Sequence, residues 1–201
     1  VSHGYKGKIF PVNPNREKIF GLKCYPNLKS INEHIDHIFI AVNSNKIIEA
    51  IKDAISKKVR CATILSGGFS ESGSEGNDLE KHVFKIAKKG DLRILGPNSI
   101  GLINISDNVI LSANAMLELQ DLKKGSLGVI SHSGSLIGAL LAHGHSRGIG
   151  FSKLVSVGNE LDLCVGEIGK MLVNDPNTET IILFLETLRN STVVAEMSRM
   201  A

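Results

Sequence analysis

Two successive α/β domains, each with a parallel sheet, are the architecture this sequence predicts. Three observations lead there. Short apolar runs rich in Ile and Val alternate with segments of helical periodicity. The runs are continuous rather than in polar alternation, as strands covered on both faces are. The rhythm breaks once, across residues 105–125, and then resumes.

In the first series the strand candidates are "KIFPVN" (8–13), "HIFIAVN" (37–43), "CATILSG" (61–67) and "RILGPN" (93–98). Over 45–58, Ile47, Ile48, Ile51, Ala54 and Ile55 share one helical face, with Lys52, Asp53 and Lys57 opposite and Ser44 or Asn45 as the cap. Over 75–90, Leu79, Val83, Ile86 and Ala87 repeat the spacing, and Gly90 is placed to end the helix. The opening "HGYKGKIFPVN" reads as the end of a helix feeding a strand. A Rossmann-type unit has an earlier strand and a glycine loop, so the sequence is expected to be a fragment. The mixed, polar stretch 105–125 is expected to be a linker. Strands at 127–131, 152–157 and 180–186 then alternate with helices at 135–147, 162–173 and from near Ser191. Three parallel strands would leave this second sheet exposed at one edge.

Composition narrows the functional class. Of 201 residues, 42% are hydrophobic and 21% charged, as in an ordinary globular protein. The net charge of +3 is dispersed, and the lysine pairs at 57/58, 88/89 and 123/124 fall near helix or loop ends, as a solvated surface requires. Aromatics are 4% and Trp is absent, which argues against a base-stacking platform and hence a nucleic-acid partner. Cys24, Cys61 and Cys164 lie far apart, with neither C-x-x-C nor zinc spacing. They read as free thiols in a reducing compartment, and no metal site is predicted. Neither a membrane span nor a signal peptide is visible, so a cytoplasmic protein without a membrane partner is expected.

Ligands of doubly wound sheets bind at the carboxyl ends of the strands. The residues at those ends are Asn13-Pro14, Val42-Asn43-Ser44, Ser66-Gly67-Gly68-Phe69 and Pro97-Asn98-Ser99. Glycine lets a ligand approach the backbone, and Asn or Ser can donate hydrogen bonds to phosphate or carbonyl oxygens. Ordinary turn chemistry accounts for any one of these loops; four in succession are the signal. The sharpest junction is "GVISHSGSLIGALL" (128–141), where a strand runs straight into a helix. Its first amides carry the positive end of the helix dipole, Gly134 would expose them, and Ser131, Ser133 and Ser135 would add hydroxyls. Plain N-capping by Ser133 accounts for part of the same pattern. A hydrolase elbow would need glycines where Ser131 and Ser135 stand, and an acid and a histidine downstream in that order. The last histidine is His145, and no Asp or Glu lies between Ser133 and it. A Walker A loop would need Gly-Lys-Ser/Thr, which is absent. His132 would point away from an anion faced by Ser131 and Ser133. His143 and His145 are expected to meet the carbonyls ending their helix. Glu186, after "IILFL", brings a carboxylate to the same edge as 131–135.

"GYKGKIFPVNPN", "GLKCYPNL", "SGGF", "GPNSIGLIN", "GVISHSGSL", "GIGFSKLVSVGNELD" and "IILFLETL" resemble, in order and spacing, the NDP-forming acyl-CoA synthetases (ADP-forming acetate–CoA ligases), relatives of the succinyl-CoA synthetase alpha subunit. The resemblance covers nearly the whole chain. It implies a Rossmann-like CoA-binding domain over 1–105, lacking its first strand and glycine loop, and a flavodoxin-like ligase domain over 126–201, lacking its C-terminal part. It implies conversion of acyl-CoA, phosphate and NDP into free acid, CoA and NTP through an acyl phosphate and a phosphohistidine. Asn13, Pro14, Val42, Asn43, Ser44, Ser66, Gly67, Gly68, Phe69, Pro97, Asn98 and Ser99 would then cradle CoA. Ser131, Ser133, Gly134 and Ser135 would receive the phosphoryl group, and catalytic Glu186 would position the phosphohistidine. ADP/ATP and Mg would sit on an ATP-grasp domain or beta subunit outside this chain, and an oligomer is implied. The sequence departs from the family at Asn43, often Pro; at Ser99, often Cys; and at His132, where the family has Gln or Arg. The family's phosphohistidine lies downstream of the Glu186 strand, outside this chain, so these residues alone are expected to be inactive. The same two domains also occur as an acyl-CoA-sensing region of protein lysine acetyltransferases, and a plain nucleotide-binding scaffold is a third alternative.

Overall fold

The computed structural model describes residues 3–118 and 121–201. Three strands, β3 (His37–Ile40), β4 (Cys61–Ile64) and β5 (Arg93–Leu95), pair in parallel in that order, preceded in the chain by a separate short hairpin of β1 (Lys18–Ile19) and β2 (Leu22–Lys23). Between them run α1 (Ile47–Ser56) and α2 (Ser74–Lys89). Ile47, Ile51 and Ala54 of α1 and Val83 and Ala87 of α2 pack with Ile40, Ala62, Ile64 and Ile94 into one core. Each large aliphatic side chain buried this way contributes about 1.5–3 kcal/mol.

Three local readings change here. The expected strand at 8–13 reduces to one parallel bridge between Val12 and Tyr25. Pro11 and Pro14 have no amide hydrogen, so the ladder cannot extend. The β1–β2 hairpin, which turns through Phe20 and Gly21 at positive φ, was not anticipated; two-residue strands leave no periodic signature. Neither Ser44 nor Asn45 caps α1. The chain enters through a 3-10 turn over Ser44–Lys46, where the Lys46 amide bonds the Asn43 carbonyl at 2.9 Å and no side chain caps.

The second sheet has five strands, in the order β10-β8-β9-β6-β7: β6 (Gly101–Asn104), β7 (Val109–Ser112), β8 (Lys124–Ser131), β9 (Phe151–Ser156) and β10 (Thr180–Phe184). β8, β9 and β10 are parallel; β6 runs antiparallel to both β9 and β7. The sheet is therefore mixed, and the expected open edge beyond β9 is covered. The expected linker at 105–125 instead carries β7, a 3-10 turn over Ala115–Glu118 and the start of β8; residues 119 and 120 lie outside the described residues. α3 (Gly134–Ser146), α4 (Val165–Val173) and α5 (Ser191–Met200) complete the unit. On β8, Val129 joins the α3 side with Ile137 and Leu141, while Ile130 joins the α4 side with Ile168 and Leu172. Alternate residues thus enter opposite cores, which explains the continuous apolar run. Among the described residues no helix is long and apolar enough to cross a membrane.

The two sheets are locked together beside β5. The amides of Asn159, Leu161 and Leu163 bond the carbonyls of Pro97, Gly96 and Ile94 at 2.9–3.0 Å. Asp162 accepts from Arg93 Nε and the Ile94 amide, both at 2.8 Å. That bond, against some desolvation and with help from Glu167, holds the Arg93 guanidinium well above its ordinary pKa.

At the amino end of β3, His37 Nε2 lies 3.0 Å from Thr63 Oγ1. Burial lowers its pKa from 6.5 to about 4. The folded state therefore favours the neutral ring. Its contribution is complete above pH 6.5 and is lost as pH falls toward 4. Between pH 7 and pH 5 this one group should remove about 2 kcal/mol of stability. Urea midpoints of the wild type and His37→Gln at the two pH values check this, since Gln keeps a partner for Thr63 but does not titrate. An equal acid loss in both proteins would contradict it.

Candidate functional site

Parallel strands put their loops on one edge, so both candidate sites form there. In the first unit the expected loops converge in part. The Ser66 hydroxyl donates to the Val42 carbonyl, and the Asn98 amide donates to the Ser66 carbonyl at 3.0 Å. Gly68, at φ +91°, lies against Ser44, and Gly67 against Asn98. Val42, Ser44, Ser66, Gly67, Gly68 and Asn98 thus converge on one rim, with exposed Asn43 between Val42 and Ser44 in the chain, whereas Pro97 is buried. Asn98 itself holds φ +55°, a conformation Asn tolerates better than most residues.

Three expectations at this rim change. Phe69 is fully buried in the first core, so only its backbone faces the loop. Ser99 is fully buried too; its hydroxyl donates to the Ser156 carbonyl at 2.6 Å and accepts from the Gly101 amide at 2.9 Å. It ties the two sheets together and has no hydroxyl left for a ligand. Asn13 and Pro14 stand apart: Asn13 bonds the Asn15 amide and the Tyr25 carbonyl, and among the described residues no hydrogen bond joins it to the other three loops.

Glu71, which the sequence reading passed over, is central. Its Oε1 accepts from the Gly68 amide at 2.6 Å and the Phe69 amide at 3.1 Å. Its Oε2 accepts from the Asn159 amide group. Burial pushes this carboxyl up, but the bonds from Asn159 and from the Phe69, Glu71 and Gly68 amides outweigh that and hold it below the usual range. The glycine loop is therefore already a receptor for an oxyanion.

In the second unit, Ser133 is the N-cap of α3; its hydroxyl accepts from the Leu136 amide at 3.3 Å. The amides of Gly134 and Ser135 in the first turn have no helical carbonyl behind them. Ser131 is buried and donates to the Ser133 carbonyl at 2.8 Å, so it shapes the turn rather than facing a ligand. Ser135 is exposed. Gly134 is explained by packing: a Cβ there would lie 2.6 Å from Ile100 Cγ2. His143 pairs with Arg147 at 3.2 Å, in place of the expected helix carbonyls.

Phe184 of β10 pairs with Ser131 of β8. Glu186 and Ser133 each lie two residues past that pair, at the same edge of the sheet. β10 ends earlier than expected, and the Glu186 side chain is exposed at its rim. His132 lies between them, with side-chain exposure of 6%. Its Nδ1 accepts from the Glu186 amide at 2.9 Å, and its Nε2 lies 2.6 Å from Glu160 Oε1. Asn159 and Glu160 sit in the loop after β9, a carboxyl-edge position that the edge rule itself would have selected. Cys24, Cys61 and Cys164 are free thiols, two of them buried.

Residues 1–105 match the CoA binding domain family, and residues 124–201 the succinyl-CoA ligase like flavodoxin domain family. The ADP-forming acetate–CoA ligase II of Archaeoglobus fulgidus is 37% identical over 190 residues, covering 94% of this chain and 28% of that protein. The alpha subunit of the ADP-forming acetate–CoA ligase II of Pyrococcus furiosus is 32% identical, covering 96% of this chain and 41% of that subunit. The dinucleotide-forming acetyl-coenzyme A synthetase 1 of Ca. Korarchaeum cryptofilum, in complex with phosphate and ADP, superposes with a TM-score of 0.91 at 32% identity, over 99% of this chain and 42% of that one. The chain thus spans between about a quarter and two fifths of these proteins' lengths.

Proposed function

Because the chain belongs to the family of ADP-forming acid–CoA ligases, as its CoA-binding domain followed by its succinyl-CoA-ligase-like flavodoxin domain, we propose that it is the CoA-binding and phosphoryl-transfer portion of such a ligase. The observation that carries this reading is that the Ser133 turn and the exposed Glu186 follow the paired ends of β8 and β10 at one sheet edge, with the Glu186 amide bonded to the ring of His132 beside Ser133. An anion-accepting turn beside an exposed carboxylate suits a phosphoryl group delivered on a protonated imidazole.

In this reading phosphate attacks the acyl-CoA carbonyl, the thioester C–S bond breaks, and CoA leaves as the thiol. The acyl phosphate gives its phosphoryl group to a histidine elsewhere in the full-length protein, releasing the acid, and that histidine passes it to NDP. This chain holds the first half of the route. The Gly134 and Ser135 amides bind the phosphoryl oxygens, and Glu186 accepts the imidazole N–H and orients the ring. CoA lies along Val42, Asn43, Ser44, Ser66, Gly67, Gly68 and Asn98. The fit is supported by Glu71, whose carboxylate already sits on the Gly68 and Phe69 amides as a phosphate oxygen would. Asn13 and Pro14 join the CoA site only through contacts with the ligand itself.

Acyl-CoA and phosphate are the small-molecule partners. ADP or ATP with Mg is held by an ATP-grasp domain or beta subunit, in a cytoplasmic oligomer. The acyl-CoA-sensing alternative gains no support from the relatives above. ATP formation from acyl-CoA, ADP and phosphate by the full-length protein tests the reading.

A further inference from the structure

His132 is the one buried histidine at the site that the proposed reaction does not use. Its partner Glu160 is also buried, with 4% side-chain exposure, and is held at φ +52° in the loop after β9. The main-chain N–H of Glu186 points at Nδ1, so Nδ1 is the acceptor and the ring proton is on Nε2. That proton points at Glu160 Oε1, 2.6 Å away. Glu160 therefore selects the tautomer that can receive Glu186. With both nitrogens engaged, His132 has no free nitrogen to carry a phosphoryl group.

Glu186 needs such a support. It follows the end of an edge strand, its side chain is exposed, and the ladder stops at Phe184. Two bonds direct the chain there, and residue 132 makes both: its amide donates to the Phe184 carbonyl at 3.1 Å, and its ring accepts from Glu186. A reacting group misplaced by about 1 Å can cost about 100-fold in rate.

We propose that His132, fixed in its Nε2–H tautomer by Glu160, is a positioning residue that sets the Glu186 carboxylate against the phosphoryl-binding turn. The proposal rests on the ligase reading. Its test therefore has one readout of turnover and one that does not depend on turnover. His132→Gln keeps one acceptor and one donor, His132→Leu keeps neither, and His132→Asn keeps both on a shorter stem.

In the full-length protein, Leu should lower kcat about 10- to 100-fold with KM for CoA within about twofold, and Gln should restore most of the rate. Hydrogen exchange at the peptide spanning 184–188, read by mass spectrometry, should be about tenfold faster in Leu than in the wild type or Gln, as expected for an amide that has lost its bond. A Leu variant within threefold of wild-type kcat overturns the proposal, and so does a Gln variant as damaged as Leu. If Leu does not fold, Asn and Gln decide, and equal rates overturn it. If even the wild type makes no ATP, the ligase reading fails, and the exchange pattern alone decides whether His132 holds Glu186.

Discussion

Glu186→Gln in the full-length protein is expected to lower ligase turnover about 10²–10³-fold, the usual cost of removing one preorganised charged partner from a reacting group. The change keeps size and one acceptor oxygen but removes the charge that would orient an imidazole N–H and stabilise the proton it carries. The Glu186 side chain is exposed at the rim, and its main-chain bond to His132 does not involve the carboxylate. Stability should therefore change by less than about 0.5 kcal/mol, as for other exposed substitutions. CoA affinity should also hold, since the proposed CoA rim lies in the other unit, the one that matches the CoA binding domain family. Steady-state rates, a thermal melt and CoA calorimetry check the three parts together. Turnover within threefold of wild type would remove Glu186 from the reaction.

The second large effect is structural. Gly158 sits at φ +57°, and a Cβ there would lie 2.0 Å from the Pro97 carbonyl oxygen, a backbone atom that cannot move aside cheaply. Gly158→Ala combines left-handed strain with overpacking, each costing about 1–3 kcal/mol. A loss of about 3 kcal/mol, or roughly 6–12 °C in Tm if the 201 residues melt together, is expected. The strain falls on the lock between the sheets, where the Asn159 amide bonds Pro97 and its side chain reaches Glu71. The displaced Pro97-Asn98 loop should weaken CoA binding in calorimetry as well. An alanine variant with wild-type Tm and wild-type CoA affinity would show that the lock does not shape the CoA rim.

Much of this was legible in the sequence where burial is continuous. β4, β8 and β9 are runs of apolar residues covered on both faces, whereas β10, equally apolar in sequence, leaves Ile182 and Phe184 exposed at the sheet edge; α1 shows its buried Ile47, Ile51 and Ala54 by spacing alone. β6 and β7 were not legible. They are four-residue antiparallel strands; β7 lies inside the stretch 105–125, and β6 is held between β9 and β7 by pairing that its own pattern does not signal. At the site, local chemistry gave the Ser133 cap, because capping needs only neighbours in sequence. The fates of Phe69, Ser99 and Ser131 depend on what packs over them, which no local pattern encodes. Asn159 and Glu160 were within reach: they follow a strand at the carboxyl edge, and only a stricter use of that rule was needed. Glu71 was not, since its role comes from reaching back onto the amides of Gly68 and Phe69.

If this chain receives a phosphoryl group derived from acyl-CoA and inorganic phosphate, label from that phosphate must pass through the protein. The most direct measurement supplies the full-length protein with acetyl-CoA and other short acyl-CoAs, ADP, Mg and isotopically labelled phosphate, and follows the label. Label is expected in ATP and, when ADP is withheld, in an acid-labile protein phosphate, with both signals reduced by Glu186→Gln. Label in neither, from a protein that still binds CoA, would contradict the ligase reading.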